Sequence, residues 1–471
     1  MNTELCFASA AELRPLIDSR QVSIVELVEL FYQRIEALNP RLNAYLALCP
    51  DLALAEARAA QRETQKGRRK GPLHGIPVSV KDLEMTRDIP TTLGSAVFRD
   101  RVPSMDSVVV ERLRQAGAIL LGKTNTPELG LSGTTENRLG GPCRNPWDPE
   151  RTAGGSSGGA AAALAAGLCT LATGSDGGGS IRIPASFSGV FGIKPSQGRV
   201  PRYGGYGRPS ANHFSQPGPM SRGVEDTALL LQVLAGPDSR DPGSLRDAPP
   251  DYLAGLNDGV AGWRIAWSAD LGYAPVEQEV AQATREAAQA FAGLGAVVEE
   301  AGLVIEDPFP AFWDIFATAA HTSYGQLFQQ HWGQLTDYGQ YALEHGASVS
   351  GADYSRALLR VDQLRRQMET FFDRYDLLLT PTMAVTAFSI EQRPTVIAGK
   401  PVEPFWGYLP FTFPINMSGQ TASSVPCGFS SAGLPIGLHI IGPRGAEAKV
   451  LRASAAFEQA RPWRHLRPPV S

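Results

Sequence analysis

Cysteine and histidine are too few and too scattered in this sequence to support several common kinds of chemistry. The 471-residue chain has five cysteines and no C-x-x-C pair, so neither a zinc site nor a dithiol redox centre is predicted. None of the seven histidines lies in the sequence context of a catalytic partner. We therefore predict no metal, no cofactor and a reducing, cytoplasmic location.

Excess positive charge and long hydrophobic runs are also missing. The 43 lysines and arginines stand against 47 aspartates and glutamates, and no basic stripe extends beyond a cluster at 67–70, so no nucleic-acid partner is predicted. The N-terminus lacks the pattern of a signal peptide, and the most apolar segment, 160–173, is too short to span a bilayer. We expect neither secretion nor membrane insertion.

Three known motifs either do not occur in this sequence or occur as a letter pattern without the structural context that they require. The S-x-x-K of penicillin-recognising enzymes does not occur. Residues 117–124, GAILLGKT, match the phosphate loop, but a helical pattern precedes the first glycine and the residues between the glycines form a buried strand. Residues 155–159, GSSGG, match the G-x-S-x-G of α/β-hydrolases without the strand that must precede it. We reject all three interpretations.

The hydrophobic patterns that are present indicate an α/β protein. Two capping boxes predict helix starts near the N-terminus: Ser9 with Glu12, and Ser23 with Glu26. The second helix is predicted to end at Asn39-Pro40. Short apolar runs alternate with helical patterns over 75–192, helices dominate 276–372, and strand patterns return in DLLLTPT and LPIGLHIIG. No linker divides the chain.

Three polar residues are predicted to meet at one edge of this sheet. Ser156 and Ser157 precede GGAAAALAAG, where one of them would be an N-cap. That helix and the strand LCTLATG run similar distances in opposite directions, so Ser180 returns to Ser156. Lys81 closes the strand IPVSVK at its carboxyl end, where open α/β sheets carry functional groups.

These stretches carry a resemblance. GIPVSVKD, KTNTPELG, GGSSGG and DGGGSIRIPASFSGVFGIKPS are similar to the amidase signature family of serine hydrolases, over almost the whole chain. The resemblance implies a single large domain over 1–471 with a central mixed β-sheet flanked by helices on both faces. Within it we expect a helical segment at 1–70, the catalytic core at 75–200, and a portion at 250–471 that lines the substrate cleft.

The resemblance also implies the catalytic residues. Ser180 would be the nucleophile, Ser156, in a cis peptide bond with either neighbour, would relay its proton, and Lys81 would be the base. A lysine can take the place of histidine when burial holds it neutral. Further residues are expected to support this set: Ser157, Asp176 and Arg182 as supporting side chains, and Gly177, Gly178 and Gly179 with the Ser180 N–H as the oxyanion hole.

The function implied is hydrolysis of carboxylic amides, and of aryl esters or carbamates (urethanes), through an acyl-enzyme. Two alternatives are the A subunit of a tRNA-dependent amidotransferase, which passes ammonia to a partner, and a binding scaffold. Against the amidotransferase, DGGGS replaces its DTGGS and its serine-leucine-aspartate stretch is missing after Ser180. Against the scaffold, every catalytic position is filled. Gly177 departs from the threonine or branched residue of many relatives and leaves room beside the scissile bond.

The expected partner is a small amide, ester or carbamate, without nucleic acid or membrane, and the protein could be a homodimer. Pocket walls are expected from the loop Glu128 to Leu139 and from aromatic residues of the C-terminal half: Phe312, Trp313, Phe316, Tyr324, Phe405, Trp406 and Tyr408.

Overall fold

The computed structural model describes residues 3–205 and 214–470, which form one mixed sheet of eleven strands flanked by helices. The strands of this sheet are β1 (Tyr45–Leu48), β2 (Pro77–Lys81), β3 (Ile119–Thr124), β4 (Leu171–Asp176), β5 (Phe191–Lys194), β6 (Gln216–Ser221), β7 (Arg264–Trp267), β8 (Val297–Glu300), β9 (Leu377–Pro381), β12 (Thr421–Phe429) and β13 (Pro435–Gly442). A separate pair consists of β10 (Val396–Ile397) and β11 (Lys400–Pro401).

The order of strands across the sheet is β1-β3-β2-β4-β6-β5-β12-β13-β9-β7-β8. β2 is parallel to both of its neighbours, β3 and β4, while β12 and β13 form an antiparallel pair at the centre. The predicted α/β class with a central mixed sheet is therefore confirmed, and the strands expected in DLLLTPT and LPIGLHIIG are β9 and β13.

The helices are α1 (Ala10–Asp18), α2 (Ile24–Leu42), α3 (Pro50–Gln65), α4 (Val108–Ala116), α5 (Gly158–Ala165), α6 (Arg182–Ser188), α7 (Val224–Leu234), α8 (Gln278–Gly293), α9 (Phe309–Ala320), α10 (Gln326–Phe328), α11 (Asp337–Ser348), α12 (Gly351–Phe372), α13 (Phe413–Ser418) and α14 (Glu447–Ala460). In the described part of the chain, none of them has the length and hydropathy needed to traverse a bilayer.

Both faces of the sheet are buried, and each face has its own hydrophobic cluster. Leu377 and Leu379 of β9 belong to one cluster and Leu378 to the other. Ile440 and Ile441 of β13 divide in the same way. Successive side chains of a strand point to opposite faces, so helices must cover the sheet on both sides.

The start of the N-terminal helices is as predicted, but the end of α2 is not. Ser9 caps α1 in a complete capping box, and the Ser23 hydroxyl accepts the N–H three residues on, at the start of α2. α2 continues through Pro40 to Leu42, because a proline in the last turn removes only one backbone donor. The helix ends instead where Asn43 adopts a left-handed conformation (φ 51°).

The rejection of a phosphate loop at 117–124 is confirmed by the structure. α4 ends at Gly117, which is left-handed (φ 86°), and β3 occupies the stretch in which a phosphate loop would need a flexible turn. The backbone amides of a strand are committed to their neighbouring strands and cannot converge on phosphate.

Candidate active site

A fully buried lysine stands at the end of strand β2. Because β2 lies parallel between β3 and β4, its last residue, Lys81, is at the carboxyl edge of this part of the sheet. Its Nζ lies 2.7 Å from Ser156 Oγ, 2.9 Å from Ser157 Oγ and 3.0 Å from Ser175 Oγ. Lys81 therefore closes a strand beside the GGSSGG serines, as predicted.

Burial changes the protonation of this lysine. Loss of hydration lowers the pKa of Lys81 from 10.5 to about 7, and the negative charges of Asp176 and Glu84 oppose that effect without cancelling it. The side chains within hydrogen-bonding distance of Nζ are hydroxyls, and no carboxylate is bonded to it among the described residues. Near pH 7 a large share of Lys81 is thus a neutral amine, which can accept a proton.

The peptide bond between Gly155 and Ser156 is cis, the first of the two bonds that the sequence left open. This segment is tightly enclosed by the loop 128–139. A Cβ on Gly155 would lie 2.6 Å from the Thr134 backbone, and a Cβ on Gly130 would lie 3.4 Å from Ser156 Oγ. Ser156 is only 2% exposed. The loop expected to line the pocket therefore packs directly on the proposed relay.

Ser157 occupies the N-cap position of α5, but its side chain does not cap the helix. Its hydroxyl instead contacts Lys81 Nζ, donates to the Ser175 carbonyl and accepts the Ser175 N–H. The first two N–H groups of α5 donate instead to Thr135 Oγ1 and to the Asn125 carbonyl, so the start of the helix is satisfied without the Ser157 hydroxyl. Ser157 therefore contacts the lysine directly, and its supporting role stays a prediction.

The segment that carries Ser180 returns to the cis peptide, as the lengths of α5 and β4 predict. The Ser180 carbonyl accepts the Ser157 N–H at 3.1 Å. The Ser180 side chain lies in the loop between β4 and α6, and the residue is 9% exposed. Its hydroxyl forms no hydrogen bond with another residue of 3–205 or 214–470, so it remains available to a substrate.

Asp176 and Arg182 form a buried ion pair that holds this loop. The two side chains make paired contacts at 2.9 Å, and the Asp176 carboxylate also accepts the N–H groups of Gly179 and Ile181. Burial alone would raise the pKa of Asp176, but the guanidinium of Arg182 holds that pKa below its usual range. The predicted orienting pair is therefore present, fully charged and out of reach of solvent.

Two residues that the sequence did not indicate complete this ion pair. Asn416 of α13 accepts from Arg182 at 2.7 Å and donates to both the carboxylate and the carbonyl of Asp176. His439 of β13 lies 3.0 Å from Arg182, and burial together with that charge lowers the pKa of the imidazole. Both residues lie more than two hundred positions away along the chain, and no local motif marks them.

The glycine loop differs from the prediction at one position. The Gly179 N–H donates to Asp176 Oδ1 at 2.7 Å, so it is committed to the loop and is not directed at an oxyanion. Gly179 is required for a different reason: its φ is +128°, and a Cβ there would lie 2.3 Å from Thr412 Oγ1. Within the described ranges the N–H groups of Gly177, Gly178 and Ser180 have no acceptor, and these three stay the predicted donors.

An aromatic wall lies against this loop. A Cβ on Gly178 would come within 2.9 Å of Phe312 and 3.0 Å of Trp406, and one on Gly177 within 3.3 Å of Phe316. The three rings contact one another at centroid distances of 5.1 to 5.3 Å. Because Gly177 has no side chain, the ring of Phe316 approaches the loop closely. The extra room expected there beside the scissile bond stays a prediction.

The other aromatic residues expected in the pocket lie at varying distances from the loop. Trp313 packs behind the wall against Trp406 with the two rings tilted by 51°, and Phe405 stacks on Tyr341. Tyr408 packs under the loop 128–139, where its hydroxyl closes the space beside Gly133. Tyr324 contacts Phe328. Of these seven aromatic residues, Phe312, Phe316 and Trp406 lie against the glycine loop.

A second buried lysine, which the sequence analysis did not single out, stands beside the first. Lys123 of β3 hydrogen-bonds the Glu84 carbonyl and the hydroxyls of Thr86 (2.7 Å) and Thr91 (3.0 Å). Its Nζ is 3.9 Å from the carboxylate of Asp82, and both side chains are inaccessible to solvent. Lys123 thereby binds the loop that follows β2. It was part of two quoted stretches, the GKT of the rejected phosphate loop and the KTNTPELG of the family resemblance, but neither was interpreted as a buried lysine.

We expect Lys123→Met to destabilise the protein by about 3–5 kcal/mol, because it leaves the Asp82 carboxyl buried without its cation. The midpoint and slope of urea unfolding measure the loss. The double variant Lys123→Met/Asp82→Asn should regain part of it. Lys66→Met, which breaks the exposed pair with Glu63, is the control and should leave the midpoint unchanged. Equal effects of the two single variants would contradict the assigned role.

Comparison with known proteins agrees with this geometry. A family model described as Amidase matches residues 26–451. The acylamidase of Rhodococcus erythropolis is 39% identical over 98% of either chain. The A subunit of the glutamyl-tRNA(Gln) amidotransferase of Moorella thermoacetica is 41% identical over 99% of either chain.

A solved structure of the same kind extends the agreement from sequence to fold. The crystal structure of a bacterial aryl acylamidase of the amidase signature family superposes on 97% of this chain and 97% of its own, with a TM-score of 0.91 at 37% identity. By its family match, its full-length relatives and its fold, the chain therefore belongs to the amidase signature family of hydrolases.

Proposed function

We propose that this protein hydrolyses carboxylic amides through an acyl-enzyme on Ser180, with Lys81 as the base and Ser156 as the proton carrier between them. The observation that carries the proposal is the 2.7 Å contact between Lys81 Nζ and Ser156 Oγ in a site closed to solvent. A lysine whose pKa is lowered to about 7 can take the part that histidine has in other serine hydrolases.

Two proton transfers accompany the attack on the amide. As Ser180 Oγ bonds to the carbonyl carbon, its proton passes to Ser156 Oγ, and the proton of Ser156 passes to Lys81 Nζ. Collapse of the tetrahedral intermediate breaks the C–N bond, and the leaving nitrogen takes a proton from Ser156, which is reprotonated by Lys81. Water then attacks the ester in the same way, releases the acid and restores Ser180.

The negative oxygen of the intermediate requires donors that are in position before the reaction begins. The N–H groups of Gly177, Gly178 and Ser180 are the candidates, since none of them donates to another described residue. The ion pair of Asp176 with Arg182 keeps this loop in one conformation, and Asp176 does so by accepting the Gly179 N–H. The loop is therefore preorganised by a charge pair that takes no part in proton transfer.

The substrate class follows from what borders the nucleophile. Phe312, Phe316 and Trp406 give one wall an aromatic surface, which favours an aryl or other apolar group next to the scissile bond. Similarity to an aryl acylamidase supports the same choice. Aryl esters and carbamates pass through the same tetrahedral chemistry, and we propose them as secondary substrates.

The A subunit of a tRNA-dependent amidotransferase is the second candidate, because a protein of that description is 41% identical over the full length. We expect the purified chain to hydrolyse a chromogenic anilide by itself. Release of the arylamine, followed in the absence and presence of tRNA, ATP and glutamine, separates the two functions. Activity that appears only with those additions and a partner protein would contradict the hydrolase.

Replacement of Ser156 by alanine should lower kcat by about 10²–10⁴-fold, because it removes the proton carrier but neither nucleophile nor base. The loss should be larger for an anilide than for the matched aryl ester, whose leaving group needs no proton. Rates on the two substrates, compared with those of the unmodified protein, give the ratio. An equal loss on both would argue against proton transfer through Ser156.

A further inference from the structure

A surface cavity of about 360 Å³ lies at the far end of α13 from the aromatic wall. Three arginines line it, one from the segment after β5, one from α12 and one from the turn between β13 and α14: Arg199, Arg365 and Arg444. Two carboxylates, Asp247 and Glu369, line it as well. None of these residues takes part in the chemistry proposed above.

Only one of the three arginines of this cavity is paired with a carboxylate within the described ranges. Arg199 is neutralised, because it contacts Asp247 at 2.9 Å and lies 3.6 Å from Glu447. Arg365 and Arg444 form no ion pair within the described ranges. Both line the same cavity, and burial together with the positive charge of Arg444 lowers the pKa of Arg365 against the attraction of Asp362.

Arg365 is held in place by contacts that leave its charge free, whereas Arg444 is exposed and forms no hydrogen bond with a described residue. Arg365 Nε donates to the Met417 carbonyl at 3.1 Å, and its Nη2 reaches Gln197 Oε1 at 3.4 Å. A Cβ on Gly419 would lie 3.5 Å from both Arg444 Nε and Gln197 Oε1, so a side chain there would fill the floor of the cavity. Neutral oxygens fix the position of a guanidinium without cancelling its positive charge, which leaves the group able to bind an oxyanion through two parallel hydrogen bonds.

We propose that Arg365 and Arg444 form a binding site for a small molecule that carries a phosphate or carboxylate group. The cavity is large enough for more than the anion itself, and Arg199 and Glu369 would border the rest of the ligand. The site is close to the catalytic loop through α13, because Asn416, next to Met417, holds the Asp176–Arg182 pair. It is nonetheless separate from the nucleophile and takes a ligand of different charge.

The test uses the intact protein, with inorganic phosphate and succinate as probes. Each should raise Tm above the value in sodium chloride of equal ionic strength, and calorimetric titration should give a saturable isotherm. Arg444→Ala removes an exposed side chain without hydrogen bonds in the described structure, so its Tm in chloride should be unchanged, while its Kd for the better probe should weaken about tenfold or more. The probe that binds more tightly identifies the anionic group.

The matched control is Arg366→Ala, which removes an exposed arginine of the same helix, α12, that does not line the cavity. It should bind the probe as the unmodified protein does. A Tm shift equal to that of chloride for both probes, or equal Kd values for Arg444→Ala and Arg366→Ala, would overturn the proposal.

Discussion

Replacing Ser180 with alanine is expected to lower kcat on every amide by at least about 10⁴-fold and to leave the fold intact. The variant loses the oxygen that becomes covalently bound to the acyl group, and neither Lys81 nor Ser156 can take its place. Because the Ser180 hydroxyl bonds to no described residue, its removal breaks no internal contact. Steady-state rates on an anilide and the thermal unfolding midpoint measure the two expectations.

The control for this prediction is Ser186→Ala on α6, a buried serine close by that has no role in the chemistry. It should keep nearly full activity. Mass spectrometry adds a direct readout. After the protein reacts with a slowly hydrolysed aryl ester and the reaction is quenched, an acyl group should be found on the peptide that contains Ser180. Near-normal turnover by Ser180→Ala, or acyl transfer to another residue, would contradict the assignment of the nucleophile.

The second large effect is expected from Lys81→Met. The variant keeps the volume and the burial of the side chain but removes the base, and we expect kcat/KM to fall by about 10²–10⁴-fold. In the unmodified protein the base must be neutral. Since burial lowers its pKa to about 7, kcat/KM should rise with pH through about 7 and level off above it. Below that value it should drop about tenfold per pH unit.

A pH profile by itself does not identify Lys81, because burial also lowers the pKa of Lys194 to about 7. Lys194 hydrogen-bonds the Pro195 carbonyl and contacts none of the catalytic serines. The rising limb should therefore persist in Lys194→Met and vanish or move in Lys81→Met. If the limb persists in Lys81→Met at an unchanged apparent pKa, another group is the base.

Part of the catalytic arrangement could be anticipated because it depends on neighbours along the chain. A helix of small residues followed by a buried strand runs out and back, so Ser180 must return to the serines before α5. Alternation in IPVSVK brings Lys81 to the end of β2. Local patterns of this kind also predicted α4 and β3 well enough to exclude a phosphate loop. The spacing of hydrophobic residues predicts local geometry of this kind.

Other features were misjudged because the competing contact comes from somewhere else. Gly179 was expected to donate to the substrate, but the Asp176 carboxylate takes its N–H first. α2 was expected to stop at Pro40, but the stop depends on the left-handed Asn43. Ser156 or Ser157 was expected to cap α5, and Ser157 does occupy the N-cap position, yet its hydroxyl contacts the buried amine of Lys81 and not the helix. In each case a contact or a backbone conformation that the local pattern does not reveal decided the outcome.

The sequence alone thus predicted the α/β class from its hydrophobic spacing, and its motifs carried the resemblance that implied the three proposed catalytic side chains and the glycines before Ser180. Only the tertiary structure decided which groups surround them. Asn416 and His439 reach the Asp176–Arg182 pair from more than two hundred positions away, and Lys123 binds the loop after β2 from the neighbouring strand. The low pKa of Lys81 exists only once the folded core has removed its water. Burial is a property of the packed chain, and no stretch of residues carries it by itself.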